Sequence, residues 1–144
     1  MHPYPHTYTV SAAAQAEGEV ALSSTGLVDL PSMPPAEFDG PGGYWSPETL
    51  LTAAVADCFV LSFRAVSRAS KFDWSGLSVS VEAVLERVEG VTRFTRFTTR
   101  ARLAVAAGTD AGRARTLLEK AEKVCLITNS LSAESHLEAE VVTS

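Results

Sequence analysis

The chain is short of cysteine and histidine, with two cysteines, Cys58 and Cys125, and three histidines in 144 residues. Two cysteines 67 positions apart do not make a disulfide scaffold. No Cys/His cluster has the spacing of a zinc site. Basic residues are outnumbered, 12 Lys and Arg against 17 Asp and Glu, and the formal net charge is −5. That balance argues against a general nucleic-acid binder, which needs a dense basic face to neutralise phosphates. Long hydrophobic runs are missing too. The longest, Leu50 to Val60, is interrupted by Thr52, Asp57 and Cys58, so no membrane span is expected. The N-terminal Met1-His2-Pro3-Tyr4-Pro5-His6 has neither a basic n-region nor an apolar h-region. No signal peptide is expected, and the cytoplasm is the expected compartment. A Ser-His-Asp order, a phosphate loop and a dinucleotide fingerprint are all absent. No metal or cofactor is expected.

What is present is ordinary globular material: 46% apolar and 20% charged residues. A chain of this length buries roughly 70% of its unfolded surface and needs no staples, so residues 1–144 are read as a single domain. Tyr8 and Val10, then Val20 and Leu22, alternate around Glu17-Gly18, which predicts a β-hairpin. Leu27, Val28 and Leu30 predict a short third strand. Pro31 to Gly43 is rich in Pro and Gly and reads as a loop. Ser46-Pro47-Glu48 is a strong helix start: a capping hydroxyl, a proline at the first helical position, and an acid at the positive end of the dipole. This helix is expected to run to about Ser70. Its apolar positions Leu50, Leu51, Ala54, Val55, Cys58, Phe59, Leu61, Ala65 and Val66 cover more than one face. Such a helix is expected at the centre of the fold, with a second subunit covering part of it.

Leu77 to Val88 and Thr92 to Val105 alternate on either side of Glu89-Gly90, predicting an antiparallel hairpin. Phe97, Leu103 and Val105 should face inward, and Arg96, Arg100 and Arg102 outward. Arg93 joins that basic stripe, and Glu82 and Glu86 are its expected cross-strand partners. Asp110 opens a second helix through about Val124, with Ala114, Leu117, Leu118, Ala121 and Val124 as its stripe. His136 to Val142 forms a closing strand. The order βββ-α-ββ-α-β predicts an α+β fold.

Three side chains carry the chemical question. Cys58 lies about three turns into the first helix, and Cys125 lies where the second runs out. Free cysteines are commonly small buried hydrophobes. Two on packed helices also satisfy what peroxide reduction needs: a thiolate to attack the O–O bond and a second thiol to condense with the resulting sulfenic acid. Glu48 reads either as a dipole partner or as a carboxylate that orients a reacting group. It lies ten residues from Cys58, about 15 Å along one helix and about 80° around it. If the two cooperate, the carboxylate must come from a second subunit.

Trp45-Ser46-Pro47-Glu48-Thr49-Leu50-Leu51 followed by Ala53-Ala54-Val55-Ala56-Asp57-Cys58-Phe59 resembles the central-helix motif of the OsmC/Ohr family. Ala121-Glu122-Lys123-Val124-Cys125-Leu126-Ile127-Thr128-Asn129-Ser130-Leu131 resembles its second cysteine segment. The resemblance covers nearly the whole chain. It implies an OsmC-like homodimer of intertwined α+β subunits, with antiparallel sheets around paired central helices. It implies thiol-dependent reduction of organic hydroperoxides or hydrogen peroxide, with Cys58 as peroxidatic cysteine, Cys125 as resolving cysteine and Glu48 as the carboxylate. The partners implied are a hydroperoxide substrate and a dithiol reductant of the lipoyl type. The alternative is a non-catalytic dimer of the same fold that binds a small apolar ligand or senses thiol redox state. Two departures stand out. Relatives carry an arginine in the N-terminal hairpin beside the peroxidatic thiol, whereas Ala12-Ala13-Ala14-Gln15-Ala16-Glu17-Gly18-Glu19 offers no cation. Leu126 stands where proline often follows the second cysteine. A neighbouring cation is a main way of activating a thiol. Cys58 is therefore expected to react with peroxide more slowly than in those relatives, unless Arg64, Arg68 or Arg96 substitutes. Gln15 offers a hydrogen bond but no charge.

Overall fold

The computed structural model describes residues 1–143. They form two compact units, one from Met1 to Leu50 and the other from Leu51 onward. The first is an antiparallel sheet of β1 (Ser11–Ala13), β2 (Val20–Ser23) and β3 (Leu30–Ser32), in that order. The hairpin expected around Glu17-Gly18 is present, with Ser11 opposite Ser23. The third strand lies later than its apolar residues suggested. Leu27 donates its amide to Ser24 O at 3.0 Å in a turn built on Gly26, whose φ is +77°. That turn consumes Leu27 and Val28, which are exposed, and pairing begins at Leu30. Pro31, expected in the loop, is part of β3. It lies on an edge strand, where a missing N–H is tolerated. The rest of the Pro/Gly segment folds back: Met33 N donates to Trp45 O at 3.0 Å, and a 3₁₀ turn forms at Ala36–Phe38. Gly40 is required there, because a Cβ would sit 1.7 Å from Pro34 O.

Helix α1 runs from Pro47 to Ala69. Its start is a reciprocal cap: Thr49 N donates to Ser46 Oγ at 3.1 Å, and Ser46 N donates to Thr49 Oγ1 at 2.8 Å. The sequence expectation of no membrane-length apolar segment is corrected here. By length and composition alone, the 23-residue α1, with an 18-residue stretch of mean hydropathy 1.6, is long and apolar enough to cross a bilayer. Counting uninterrupted runs missed this, because Thr52 and Asp57 barely lower the average. The helix nonetheless sends Phe59, Phe63 and Val66 into a protein core.

That core belongs to the second unit. Strands β4 (Gly76–Val88) and β5 (Val91–Val105) pair antiparallel through a two-residue turn, Glu89-Gly90. Both residues have positive φ, 51° and 80°, as a type I′ turn requires. Thr95 is an extra residue opposite the Val84/Leu85 junction, where the register shifts. Helix α2 (Ala111–Val124) is capped by Asp110, which accepts from Arg113 N at 3.1 Å. A short turn, α3 (Leu126–Asn129), follows, and then β6 (Glu134–Thr143). β6 pairs parallel to β5, so the sheet is mixed rather than antiparallel throughout. The cause is the helix between them, which carries the chain back so that β6 starts from the same end as β5.

The core joins Phe59, Phe63 and Val66 of α1 to Phe72, to Ala101, Leu103 and Val105 of β5, and to Ala114, Leu117, Leu118 and Ala121 of α2. Phe63 was not among the expected core positions. Trp74 meets its ring edge-on at 5.4 Å. Leu61, Ala65 and Val124, expected in apolar stripes, are exposed. On the wet face of the sheet, Arg100 pairs with Glu138 at 2.6 Å and Glu82 at 3.7 Å, and Arg102 with Glu140 at 3.7 Å. Such exposed pairs contribute little stability.

Candidate functional site

Cys58 and Cys125 come together in the second unit, from different elements. Cys58 projects from α1 and is half-buried. Its Sγ lies 3.9 Å from Ser62 Oγ, one helical turn on. Cys125 is 1% exposed and sits at a break in the chain, closing α2 and opening α3 with an extended backbone (φ −64°, ψ 104°). The break is held by local bonds. Cys125 N donates to Glu122 O at 3.3 Å, Cys125 O accepts from Asn129 N at 3.0 Å, and Asn129 Nδ2 donates to Lys123 O at 3.0 Å. Both sulfurs are free thiols.

The Cys125 thiol is pushed above its ordinary range, first by burial. Thr128 opposes this through its hydroxyl and its amide, while Cys58 raises it further, by a hydrogen bond and by charge. A hydrogen bond that raises an acid's pKa acts on the protonated form. The two thiols are therefore near enough for Cys58 to act on the titration of Cys125. No cation is among the groups acting on Cys125. Arg64, Arg68 and Arg96, the expected substitutes for the hairpin arginine, are all exposed, as is Gln15.

Glu48 lies in the first turn of α1, in the first unit, and is half-buried. It lines an apolar cavity of about 660 Å³ with Val20, Leu22, Met33, Phe38, Pro47 and Leu50, among others. This cavity was not foreseen. The clue was the Pro-rich loop, whose length in so small a chain called for a role.

Two further hydroxyls and one carboxyl were not singled out in the sequence. Ser62 and Thr128 stand four and three residues after their cysteines, spacings that place side chains on one helical face. Glu122 has one carboxylate oxygen buried without a hydrogen-bond partner among the described residues. Burial raises its pKa, with His136 pulling the other way. Among the described residues, no group of three His, Cys, Asp or Glu side chains is placed to hold a metal ion.

These features agree with what similarity to other proteins reveals. The chain is 27% identical over 109 residues to the uncharacterized protein YmaD of Bacillus subtilis, covering 74% of this chain and 73% of that one. Its fold superposes on an organic hydroperoxide resistance protein OsmC from Legionella pneumophila with a TM-score of 0.77 and 26% identity, covering 97% and 99% of the two chains. An organic hydroperoxide resistance protein from Elizabethkingia anophelis shares the fold with a TM-score of 0.80 at 20% identity, covering 99% and 100%. Residues 40–140 match the family described as OsmC-like protein. With two sheets, three helices and both cysteine segments in place, the chain belongs to the OsmC-like protein family.

Proposed function

We propose that this protein is a thiol-dependent peroxidase acting on organic hydroperoxides or hydrogen peroxide. The observation that carries the reading is the nearness of Cys58, on α1, to Cys125, at the break between α2 and α3, close enough for the first thiol to act on the second. Cys58, as thiolate, attacks one oxygen of R–O–O–H. An S–O bond forms as the O–O bond breaks, and the departing alkoxide takes a proton to become the alcohol. The peroxide gains two electrons and the sulfur loses two, leaving a sulfenic acid. The Cys125 sulfur then attacks the Cys58 sulfur. The S–S bond forms, the S–O bond breaks, and hydroxide leaves as water with the proton from Cys125. A dithiol reductant, such as a lipoyl-type one, restores both thiols by two exchange steps and departs as its own disulfide.

The raised pKa of Cys125 suits the resolving role. A buried thiol that keeps its proton does not compete for peroxide, and it becomes a nucleophile when an electrophilic sulfur stands beside it. The names of the Legionella and Elizabethkingia proteins support organic hydroperoxides as the substrate class. Glu48 is the proposed orienting carboxylate, supplied across a homodimer. The test is thiol titration after one equivalent of cumene hydroperoxide. Two thiols per chain should disappear within seconds, with a loss of two hydrogens by non-reducing mass spectrometry. Unchanged thiols would refute the enzyme. The apolar cavity around Glu48 favours a second reading, a dimer that holds a small apolar ligand without chemistry. That reading predicts saturable binding of a fluorescent apolar probe with both thiols intact after peroxide.

A further inference from the structure

A thiol that must act as a nucleophile needs its charged form favoured, by a cation, a helix N-terminus or a hydrogen bond. Cys58 is in the middle of a 23-residue helix, so the dipole gives it little. The arginines nearest in sequence, Arg64 and Arg68, are exposed. What the structure does place beside the Cys58 sulfur is the hydroxyl of Ser62, at 3.9 Å. Ser62 is half-buried and sits between Leu61 and Phe63, in a stretch otherwise built of apolar residues. A hydroxyl in that setting has few competing partners, and its position one turn along α1 aims it at the sulfur. The titratable group near Cys58 from the end of α2 is Cys125, whose thiol is held protonated first by burial.

We propose that Ser62 is a positioning residue for Cys58: its hydroxyl donates to the Cys58 sulfur, favours the thiolate over the thiol and fixes the direction of attack. The Ser62 hydroxyl then does part of the work that an arginine does in a charged site. The proton that leaves Cys58 goes to solvent, and Ser62 keeps its own. The proposal rests on the peroxidase reading for its purpose, but it makes a claim about the sulfur that is measured without peroxide.

The experiment compares wild type, Ser62→Ala and Ser62→Thr at pH 7. Thiolate absorbance in the ultraviolet and the rate of iodoacetamide alkylation, read on the Cys58 peptide by mass spectrometry, are followed for each. Alanine is the stronger helix former, so the helix is retained. Ser62→Ala should lower the thiolate signal and slow alkylation about tenfold, the size expected for losing a hydrogen bond to a charged group. Ser62→Thr, which restores a hydroxyl, should recover most of both. Equal signals in wild type and Ser62→Ala would overturn the proposal, as would a Ser62→Thr variant as slow as Ser62→Ala. A separate arm adds cumene hydroperoxide. If wild-type Cys58 is not oxidised, the peroxidase reading fails, while absorbance and alkylation still decide the role of Ser62.

Discussion

Each ionisable or nucleophilic side chain in this protein is governed by what surrounds it over a few ångströms. Cys125 is buried and close enough to Cys58 to be influenced by it, and in the proposed mechanism its removal isolates the first oxidation product. In Cys125→Ser, peroxide should leave Cys58 as sulfenic acid, and excess peroxide should carry it to sulfinic acid. Intact-protein mass spectrometry should read a gain of one oxygen and then two, with no loss of two hydrogens. Glu122 is a second case. Burial raises its pKa in the folded state, which means the folded protein prefers the protonated form. Its contribution to stability is therefore fully present below the unfolded carboxyl pKa near 4.5 and is lost as pH rises through the folded value. Glu122→Gln removes that dependence. The variant should be more stable than wild type in urea at pH 7, and the difference should vanish near pH 4. A variant less stable at pH 7 would show that the buried oxygen is satisfied by a group the carboxamide cannot replace. Glu122 illustrates what a sequence conceals. On α2 it is one of several charged residues, and only the packing of the chain reveals that one of its oxygens is buried.

At the scale of elements, the helices were the most legible part of the chain, because their signals are local. Ser46-Pro47-Glu48 marks a helix start by capping, ring geometry and charge together, and α1 begins at Pro47. Asp110 marks the other with one capping carboxylate, and α2 begins at Ala111. The cap at Ser46 is doubled by the return bond to Thr49. Ser46→Ala should therefore cost between about 1 and 2 kcal/mol, toward the upper end of capping losses. A lowered urea midpoint at unchanged slope would report it. The Glu89-Gly90 turn and the inward set Phe97, Leu103 and Val105 were equally readable, since period two and a positive-φ pair leave few alternatives. Strand direction was not readable. Leu137, Ala139 and Val141 alternate in the same way in a parallel or an antiparallel partner, and only the passage of α2 decides. The third strand was misplaced for the opposite reason: Leu27 and Val28 have the right residue types, but the Gly26 turn claims them. For the candidate site, the motifs named Cys58, Cys125 and Glu48. Ser62 and Thr128 were not singled out, since a hydroxyl acquires meaning only from the sulfur it meets.

At the scale of the molecule, helix α1 poses a problem that one chain does not solve. It is among the most apolar elements present, yet only 22% of an 18-residue stretch of it is buried. Val55, Phe59, Phe63, Val66 and Ser67 form the buried stripe. Leu61 lies off that stripe and is 52% exposed, and Ala65 is exposed beside it on the same face. Further apolar side chains stand in solvent elsewhere, including Tyr8, Val10 and Val28. An apolar helix face left in solvent is costly, because each Å² of it exposed to water forfeits about 25 cal/mol. We propose a second copy as the occupant, since its own α1 would present the same face and so satisfy the self-complementarity of a two-fold interface. A homodimer also supplies the only route by which Glu48 can serve a Cys58 that its own helix holds about 15 Å away. Light scattering at micromolar concentration should therefore return twice the 15.3 kDa chain mass. Leu61→Lys places a charge in the middle of the exposed face. It should shift the mass toward one chain while leaving the core stripe intact, and should slow peroxide turnover more than it slows alkylation of Cys58. A wild-type protein of single-chain mass under those conditions would remove the second subunit from the account and, with it, the role proposed for Glu48.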